Sequence, residues 1–364
     1  MIKKLKKKVV VAMSGGVDSS LTAVLLKEEG YDVIGITIHH YEGNENLESV
    51  EQAAQNLKIP WHVLGLTKEF KNIVIDYFCQ EYLAGRTPNP CVVCNLKIKF
   101  GLLLEKAKSL GADYLATGHY AINEYEQKNK KFLLKRGVDE NKDQSYFLYR
   151  LNQNILPYVL FPLGKFKKSQ TRELAKKYGL KNYKKEESQE ICFIRDDNYR
   201  KFLSQHIQDT IKSGKFIDKE GKILGEHQGI PFYTIGQRKG LGVSLNKRRY
   251  VIEIDSRQNT ITLGDDKDLY RDKLLVKELN FISGDKLSKS IKAEVKIRYN
   301  SKKSPANISP YGEDRVLINF EKPQRAVTPG QSAVFYQGDV VVGGGIIEGS
   351  VSYTHLTLPT KRIV

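Results

Sequence analysis

The start of the fold is decided by VVVAMSGGVDSS, residues 9–20. The apolar run Val9–Met13 predicts a buried strand, and the two glycines that follow let the backbone turn sharply and approach a ligand. A helical pattern then runs from Leu21 to Gly30, and the N–H groups of a first helical turn attract anions. This order of strand, glycine turn and helix predicts a phosphate site, although a solvated loop capped by Asp18 or Ser19 shares the pattern.

The first 125 residues alternate between strand and helix patterns. Strands are predicted at Val9–Met13, Asp32–Ile38, Trp61–Leu66 and Tyr114–Thr117, and helices at Leu47–Leu57, Lys68–Leu83 and Asn95–Leu110. Such alternation is typical of an α/β fold with a doubly wound parallel sheet, Rossmann-like in its layout. A further helix is predicted at Thr171–Tyr178, where Gly179 ends it.

From about Asp196 the pattern changes to short alternating strands. A hairpin is predicted from Tyr250–Ile254 and Thr260–Leu263, and further strands from Ile291–Tyr299, Val316–Phe320, Ser332–Tyr336 and Asp339–Val342. The last strands favour a small antiparallel β-barrel. We therefore expect a nucleotide-binding catalytic domain over residues 1–195, a small central α+β domain that binds nucleic acid over residues 196–275, and a C-terminal β-barrel over residues 276–350.

Length and composition point to a multidomain globular protein. The 364 residues are 40% hydrophobic and 28% charged, and they exceed what one ordinary core holds. The net charge of +17 favours a polyanionic partner such as nucleic acid, although a lysine-rich proteome gives the same balance. The sequence contains no apolar run of membrane-spanning length and no signal peptide, so we expect a cytoplasmic protein without a membrane partner.

The final segment, residues 351–364, has a foreign character. It resembles the translated read-through of a transposon-type sequencing adapter, whereas the glycine-rich strand before it is typical of a domain end. We therefore treat residues 351–364 as a non-native tail and exclude them from the fold and the function.

The four cysteines are too few for a disulfide framework in a chain of this length. Cys91 and Cys94 lie in the segment TPNPCVVCN, whose prolines predict a loop, and Cys94 then opens the helix at Asn95. A helix N-terminus, aided by Lys97 and Lys99, is expected to lower the pKa of the Cys94 thiol. The pair would suit a nucleophile or a metal ligand, and a lone Cys-x-x-Cys also fits half a zinc site or a redox dithiol.

The other two cysteines carry weaker signals. Cys192 lies in the segment ESQEICFI, which fits a buried thiol in a strand as well as a reactive one. Cys79 lies in an apolar helical pattern and is interpreted as a core residue.

The glycine turn lacks the Gly-Lys-Ser/Thr ending of a Walker loop and resembles the PP-loop, SGGxDS, of ATP pyrophosphatases. Further segments resemble one family within that superfamily, the bacterial tRNA-specific 2-thiouridylases, over about residues 8–350. These segments are GRTPNP (85–90), ATGHY (116–120), NKDQSYFL (141–148), FPLG (161–164), ICFI (191–194), GEHQG (225–229), YTIGQRKGLG (233–242) and VTPGQSAVFY (327–336).

The resemblance implies an adenylating sulfurtransferase that uses ATP and Mg²⁺. The family adenylates the C2 oxygen of the wobble uridine in tRNAs for lysine, glutamate and glutamine, and a cysteine persulfide then displaces AMP. ATP contacts carry over to Ala12, Met13, Ser14, Gly15, Gly16, Val17, Asp18, Ser19, Ile38 and Gly118. Cys94 matches the family's nucleophile and Cys192 its persulfide-bearing cysteine, with a disulfide between them in the cycle.

Contacts to RNA carry over in the same way. The loop residues Asn89, Pro90 and Cys91 match those that touch the target base after it leaves its stack. The tRNA-contacting positions of the family match His119, Lys142, Asp143, Gln144, Arg298, Tyr299 and Gln331. The resemblance also implies a sulfur donor protein, either a cysteine desulfurase or a sulfur-relay carrier.

Two questions stay open at the level of sequence. Some family members carry Asp where this chain has Cys91, and Cys91, Cys94 and Cys192 would also suit a [4Fe–4S] cluster instead of the persulfide route. The alternative functions are another PP-loop enzyme, such as a tRNA lysidine synthetase or an amide-forming synthetase, and an RNA-binding protein with a degenerate loop. The first would need no cysteine pair, and the intact glycine motif disfavours the second.

Overall fold

The computed structural model describes residues 6–41, 47–180, 183, 191–194, 198–243 and 247–350. The expected non-native tail, residues 351–364, lies outside these ranges. The described residues form a parallel sheet, a small mixed sheet and a larger antiparallel sheet. Within these ranges, no helix has both the length and the apolar character needed to cross a membrane.

The first half of the chain builds the parallel sheet and one hairpin. Its strands are β1 (Lys8–Ala12), β2 (Asp32–His39), β3 (Trp61–Gly65), β4 (Tyr114–Ala116), β5 (Ala121–Glu126), β6 (Lys131–Arg136) and β7 (Val159–Leu160). The sheet has the order β3-β2-β1-β4-β7, and every neighbouring pair is parallel. This confirms the α/β prediction.

Both faces of the parallel sheet are buried, as a doubly wound sheet requires. On β1, the side chain of Val10 packs into one core cluster, and those of Val9 and Val11 pack into another. All three are fully buried. The continuous apolar run is therefore explained by a strand that is covered on both faces of the sheet.

The helices are α1 (Val17–Glu28), α2 (Leu47–Leu57), α3 (Thr67–Phe70), α4 (Asp76–Leu83), α5 (Pro90–Val93), α6 (Leu104–Ser109), α7 (Lys168–Lys177) and α8 (Tyr199–Ile207). Two π-helical segments make longer continuous helices: Lys71–Ile75 joins α3 to α4, and Cys94–Leu103 joins α5 to α6.

The second of these long helices begins earlier than its sequence pattern predicts. The loop expected around Cys91 is wrong, because the helix starts at Pro90 rather than at Asn95. Proline suits the first helical position, where its missing N–H would be unpaired anyway. Asn89 caps this start, and its side-chain oxygen accepts a hydrogen bond from the backbone N–H of Val92 at 3.4 Å.

The middle of the chain forms the mixed sheet, from β8 (Gly214–Ile217), β9 (Ile223–His227), β10 (Tyr250–Asp255) and β11 (Thr260–Gly264). The predicted hairpin is present, with β10 antiparallel to β11. The third sheet contains β12 (Tyr270–Phe281), β13 (Ile291–Lys296), β14 (Ser304–Tyr311), β15 (Arg315–Arg325), β16 (Ser332–Gln337) and β17 (Val340–Ser350).

Strands β12 to β17 close into the expected barrel, because β12 pairs with both β15 and β17. The expected domain boundary between residues 275 and 276 falls inside β12, which runs from Tyr270 to Phe281. The hairpin β5–β6 extends the barrel sheet through the pairing of Lys135 with Val340. The first half of the chain and the barrel therefore share a sheet.

Candidate active site

The glycine turn after β1 has the backbone geometry of an anion site. Gly15 has a φ of +76°, a conformation that glycine adopts without strain. Helix α1 begins at Val17, and Gly16 at its N-cap offers no side-chain capping bond. The N–H groups of the first helical turn therefore point into the turn. The turn is closed by Ser19, whose hydroxyl accepts from the backbone N–H of Ser14 at 3.2 Å.

Gly118 completes this edge of the sheet. A Cβ atom at residue 118 would lie 3.0 Å from Cβ of Asp18 and 3.1 Å from the backbone nitrogen of Ser19. A side chain at residue 118 would therefore be crowded against the start of α1, which glycine avoids. Ile38 lies on the adjacent strand β2. The residues expected to hold ATP thus meet at the carboxyl ends of neighbouring parallel strands, where α/β sheets bind ligands.

The side chain of Asp18 does not cap α1 but binds two other side chains. Its carboxylate oxygens lie 2.7 and 2.8 Å from Nζ of Lys168, and one of them accepts from the hydroxyl of Tyr120 at 2.8 Å. Lys168 is only 7% exposed, so a buried cation reaches the glycine turn from α7. Sequence reasoning missed this residue, because its local pattern matches that of the exposed Lys165 and Lys167.

The expected low pKa of Cys94 is wrong. Burial raises the pKa of this thiol to about 11. The positive charge of Lys99 lowers the pKa, but by less than burial raises it. Because the helix begins at Pro90, Cys94 lies past the first turn, where the helix dipole fades. Desolvation therefore dominates and favours the neutral thiol. Burial also raises the pKa of the Cys91 thiol.

The π-helical segment Cys94–Leu103 explains why Lys99 acts on these thiols. In a π-helix, residues five apart are joined by the i→i+5 hydrogen bond and lie on nearly the same side. Lys99 is five residues beyond Cys94 and thus shares its side of the helix. Its positive charge lowers the pKa of Cys91, Cys94 and Cys192, although burial outweighs it at each.

Cys192 lies in a turn, not in a strand, with the backbone N–H of Ile194 donating to the carbonyl of Ile191. Its Sγ atom lies 3.7 Å from Nε2 of His40, the residue that follows β2. The side chain reaches solvent, yet the surrounding protein raises the pKa of the thiol to about 12, and Cys94 and Cys91 contribute to that rise. The structure therefore places the three cysteines close to one another, beside the carboxyl end of β2.

All four cysteines are free thiols in this structure, and the disulfide stays a prediction. Across the described ranges, no three His, Cys, Asp or Glu side chains are arranged to share a metal ion. The iron–sulfur alternative for Cys91, Cys94 and Cys192 therefore stays a prediction. Cys79 is buried in α4, as expected for a core residue.

The chain resembles known proteins over nearly its whole length. Residues 7–196 match the family model described as tRNA methyl transferase HUP domain, residues 200–265 its PRC-barrel domain, and residues 271–347 an aminomethyltransferase beta-barrel domain. A tRNA-specific 2-thiouridylase MnmA 2 from Thermoanaerobacter sp. (strain X514) is 50% identical, over 95% of this chain and 99% of that protein. The MnmA of Clostridioides difficile (strain 630) is 48% identical, over 95% of this chain and 99% of that protein. The chain belongs to the tRNA-specific 2-thiouridylase family.

Membership of the thiouridylase family confirms the resemblance found in the sequence. The structure also shows how the loop expected to touch the base is held. The backbone N–H of Thr87 donates to the carbonyl of Pro329 at 2.8 Å. The amide of Gln331 donates to the carbonyls of Thr87 and Pro88 at 3.0 and 3.1 Å. Gln331, expected to contact tRNA, is therefore used to fix the loop that leads into Asn89.

Two other thiouridylase positions expected at the RNA, Asp143 and Gln144, accept hydrogen bonds from the protein backbone. Asp143 is 4% exposed and accepts hydrogen bonds from the backbone N–H groups of Gly137 and Ser145. The side-chain oxygen of Gln144 accepts from the backbone N–H of Tyr120. Lys142 is partly buried next to them. Asp143 and Gln144 therefore stabilise the chain that follows β6.

The remaining RNA positions of the thiouridylase family are also packed within the protein. His119 is 9% exposed, its Nδ1 lies 2.7 Å from the hydroxyl of Thr117, and burial holds its pKa well below the usual range. Arg298 donates to the carbonyls of Arg325 and Ala326. The centroid of the Tyr299 ring lies 4.5 Å from that of Phe147. The two rings form a tilted aromatic pair between the barrel and the catalytic half.

Proposed function

We propose that this protein uses ATP to convert the wobble uridine of tRNA into 2-thiouridine. The observation that supports this most directly is the sharing of one sheet edge by the glycine turn and the thiols. Ser14–Ser19 follow β1, and His40, with Cys192 against its ring, follows the neighbouring β2. An adenylating site and a sulfur site are therefore adjacent, as a two-step thiolation requires.

In the first step, the C2 oxygen of uridine attacks the α-phosphorus of ATP and pyrophosphate leaves. The N–H groups at the start of α1 suit the departing phosphates, and Mg²⁺ bound to ATP neutralises part of their charge. Lys168 supplies a buried positive charge at the same turn. The uridine then carries AMP as a good leaving group on C2.

In the second step, the outer sulfur of a persulfide on Cys192 attacks C2, the C2–O bond breaks, and AMP leaves. Cys94 then attacks Sγ of Cys192 and breaks its bond to the outer sulfur, which stays on C2 as the thiocarbonyl. This leaves a Cys94–Cys192 disulfide, which a thiol reductant must reduce with two electrons before the next cycle. Cys94 contributes to the raised pKa of Cys192, which indicates that the two thiols lie close together and supports this exchange.

The substrates follow from the charge of the chain and from the family. The net charge of +17 favours binding of the tRNA backbone. We further infer that the tRNAs for lysine, glutamate and glutamine are the acceptors, that a cysteine desulfurase or sulfur-relay carrier supplies the persulfide, and that the reaction takes place in the cytoplasm. The names of the relatives support 2-thiolation of tRNA as the reaction.

The test is reconstitution with ATP, Mg²⁺, unmodified tRNA and a persulfide donor, followed by mass spectrometry of the digested tRNA. We expect 2-thiouridine from the unaltered protein and none from Cys192→Ala. Cys79→Ser is the matched control, because Cys79 is a core residue of α4 and has no part in the proposed sulfur route. Wild-type amounts of 2-thiouridine from Cys192→Ala would refute the sulfur route, and lysidine as the product would refute the assigned reaction.

A separate measurement addresses the cluster route. Iron and sulfide are determined after anaerobic purification, together with the activity of the same sample. Substoichiometric iron with full activity is expected for thiol chemistry. Three- or four-iron stoichiometry that tracks the activity would overturn the persulfide route.

A further inference from the structure

The imidazole of His40 lies directly against the thiol of Cys192. The distance from Nε2 to Sγ is 3.7 Å, within hydrogen-bonding range for sulfur, although the two residues are 152 positions apart. His40 follows β2, whereas Cys192 lies in the turn Ile191–Ile194. The contact is made by the tertiary fold and has no counterpart in a local motif.

The backbone decides which nitrogen of His40 carries the proton. Nδ1 lies 3.0 Å from the carbonyl oxygen of Ile38. Because a carbonyl only accepts hydrogen bonds, Nδ1 must be the donor, and in a neutral ring Nε2 is then the unprotonated nitrogen. The lone pair of Nε2 therefore faces the Cys192 thiol.

One aromatic ring holds both partners in place. Phe70 is fully buried, and its ring meets the His40 ring edge-on with 4.5 Å between centroids. The ring of Phe193, the residue after Cys192, lies 5.7 Å from that same Phe70 ring and is 2% exposed. A change in the position of either partner would disturb this packing, so the pair is positioned by the core.

The chemistry of sulfur transfer needs a proton acceptor at this place. The thiolate is the nucleophile, and burial raises the pKa of the Cys192 thiol to about 12. Nearby Cys94 and Cys91 raise it as well, whereas Lys99 lowers it. An unassisted thiolate is therefore scarce at neutral pH, and an adjacent base is the usual means of activation.

We propose that His40 is the base that activates Cys192 when the protein is loaded with sulfur. The proposal rests on the function given above. Nε2 takes the thiol proton, and the Cys192 thiolate attacks the outer sulfur of the donor persulfide. The donor S–S bond breaks as the new S–S bond forms, and the proton on His40 passes to the departing donor thiolate. Cys192–SH and R–S–SH thus become Cys192–S–SH and R–SH, with no net oxidation.

The experiment measures the alkylation rate of each cysteine by iodoacetamide across neutral pH, using the full chain and mass spectrometry of tryptic peptides. His40→Asn is the informative variant, because its amide nitrogen is placed like Nδ1 and preserves the bond to Ile38 while the base is lost. His62→Gln, an exposed histidine on β3, is the matched control. Peptide 87–97, which contains Cys91 and Cys94, reports whether the pocket keeps its structure.

We expect His40→Asn to slow alkylation of Cys192 at neutral pH by roughly 100-fold, the lower end of general-base effects. The same variant should lose persulfide loading from a small-molecule persulfide, and added imidazole should restore part of both rates in His40→Gly. The pyrophosphate released from ATP in the presence of tRNA should stay near the wild-type value. Cys192 rates within about twofold of wild type in His40→Asn, with unchanged rates for peptide 87–97, would overturn the proposal.

The design separates this proposal from the function on which it rests. Absence of tRNA-dependent pyrophosphate release in the unaltered protein would refute the proposed function, whereas the alkylation rates would still report on the His40–Cys192 pair. If His40→Asn also changes the rates of peptide 87–97, the imidazole rescue of His40→Gly decides: restored Cys192 reactivity supports a base, and no restoration contradicts it.

Discussion

Replacing Lys168 by Met should lower the free energy of unfolding of the catalytic half, because Asp18 would lose its positively charged partner. The Nζ atom of Lys168 lies 2.7 and 2.8 Å from the two carboxylate oxygens, and the side chains are 9% and 26% exposed. Removing one partner of a fully buried ion pair costs about 3–5 kcal/mol. Because Asp18 is partly hydrated, we expect the lower end, about 3 kcal/mol.

The assay uses the single tryptophan of the chain, Trp61, which lies on β3 of the parallel sheet. Urea unfolding followed by Trp61 fluorescence therefore reports on the sheet that carries the glycine turn. With a slope of about 2 kcal/mol per molar urea, a loss of about 3 kcal/mol lowers the midpoint by about 1.5 M. Lys165→Met, an exposed lysine just before α7, should change the stability by less than about 0.5 kcal/mol.

A double variant tests whether the effect belongs to the pair. With Asp18→Asn present as well, no charge is left without its partner, so the protein should recover about 1 kcal/mol or more relative to Lys168→Met alone. A midpoint for Lys168→Met within about 0.5 M of wild type, or a double variant that is weaker than either single one, would show that the ion pair does not stabilise this site.

Three further predictions concern the glycine edge, the thiols and the loop. Gly118→Ala should cost about 1–3 kcal/mol and reduce tRNA-dependent pyrophosphate release, since its Cβ lies 3.0 Å from Cβ of Asp18; wild-type values in both assays would contradict the close approach. Alkylation of Cys94, whose pKa burial raises to about 11, should increase about tenfold per pH unit from neutral to mildly alkaline pH, and a plateau near neutrality would show a lower pKa. Gln331→Leu should speed hydrogen exchange in the Thr87 loop by roughly 10-fold and reduce thiouridine formation, whereas Gln337→Leu on the same barrel should leave both unchanged.

Local physics made the parallel sheet predictable. The run Val9–Val11 is apolar on both sides, so it must be buried on both faces, and the glycines after it leave few backbone conformations that fit. The positions of Ile38 and Gly118 beside the turn then follow from parallel strands that end at one edge. The phosphate site is in this sense a consequence of the strand order.

The chemistry of the thiols was predicted less well, because it depends on tertiary contacts. The expected low pKa of Cys94 assumed a helix start at Asn95, whereas the cap by Asn89 moves the start to Pro90. The desolvation that raises the pKa comes from elements far away in the sequence. The same is true of Lys168, which meets Asp18 across 150 positions.

Family resemblance located residues that matter without revealing what they do. The resemblance predicts Asp143 and Gln331 at the RNA, yet in this structure both form hydrogen bonds with other groups of the protein. A sequence comparison records that a side chain is retained and not which atom it serves. For such buried polar residues, only coordinates distinguish support of a loop from contact with a ligand.

The hydrogen bonds that join Pro329 and Gln331 to the loop at Thr87 have a consequence for biosynthesis. The loop that leads into Asn89 is synthesised early, whereas Gln331, whose amide holds it, lies 244 positions after Thr87. A nascent polypeptide still attached to the ribosome therefore lacks the contacts that order this loop, even after the parallel sheet has emerged. The order of this loop is thereby tied to synthesis of the barrel strands that follow it in the chain.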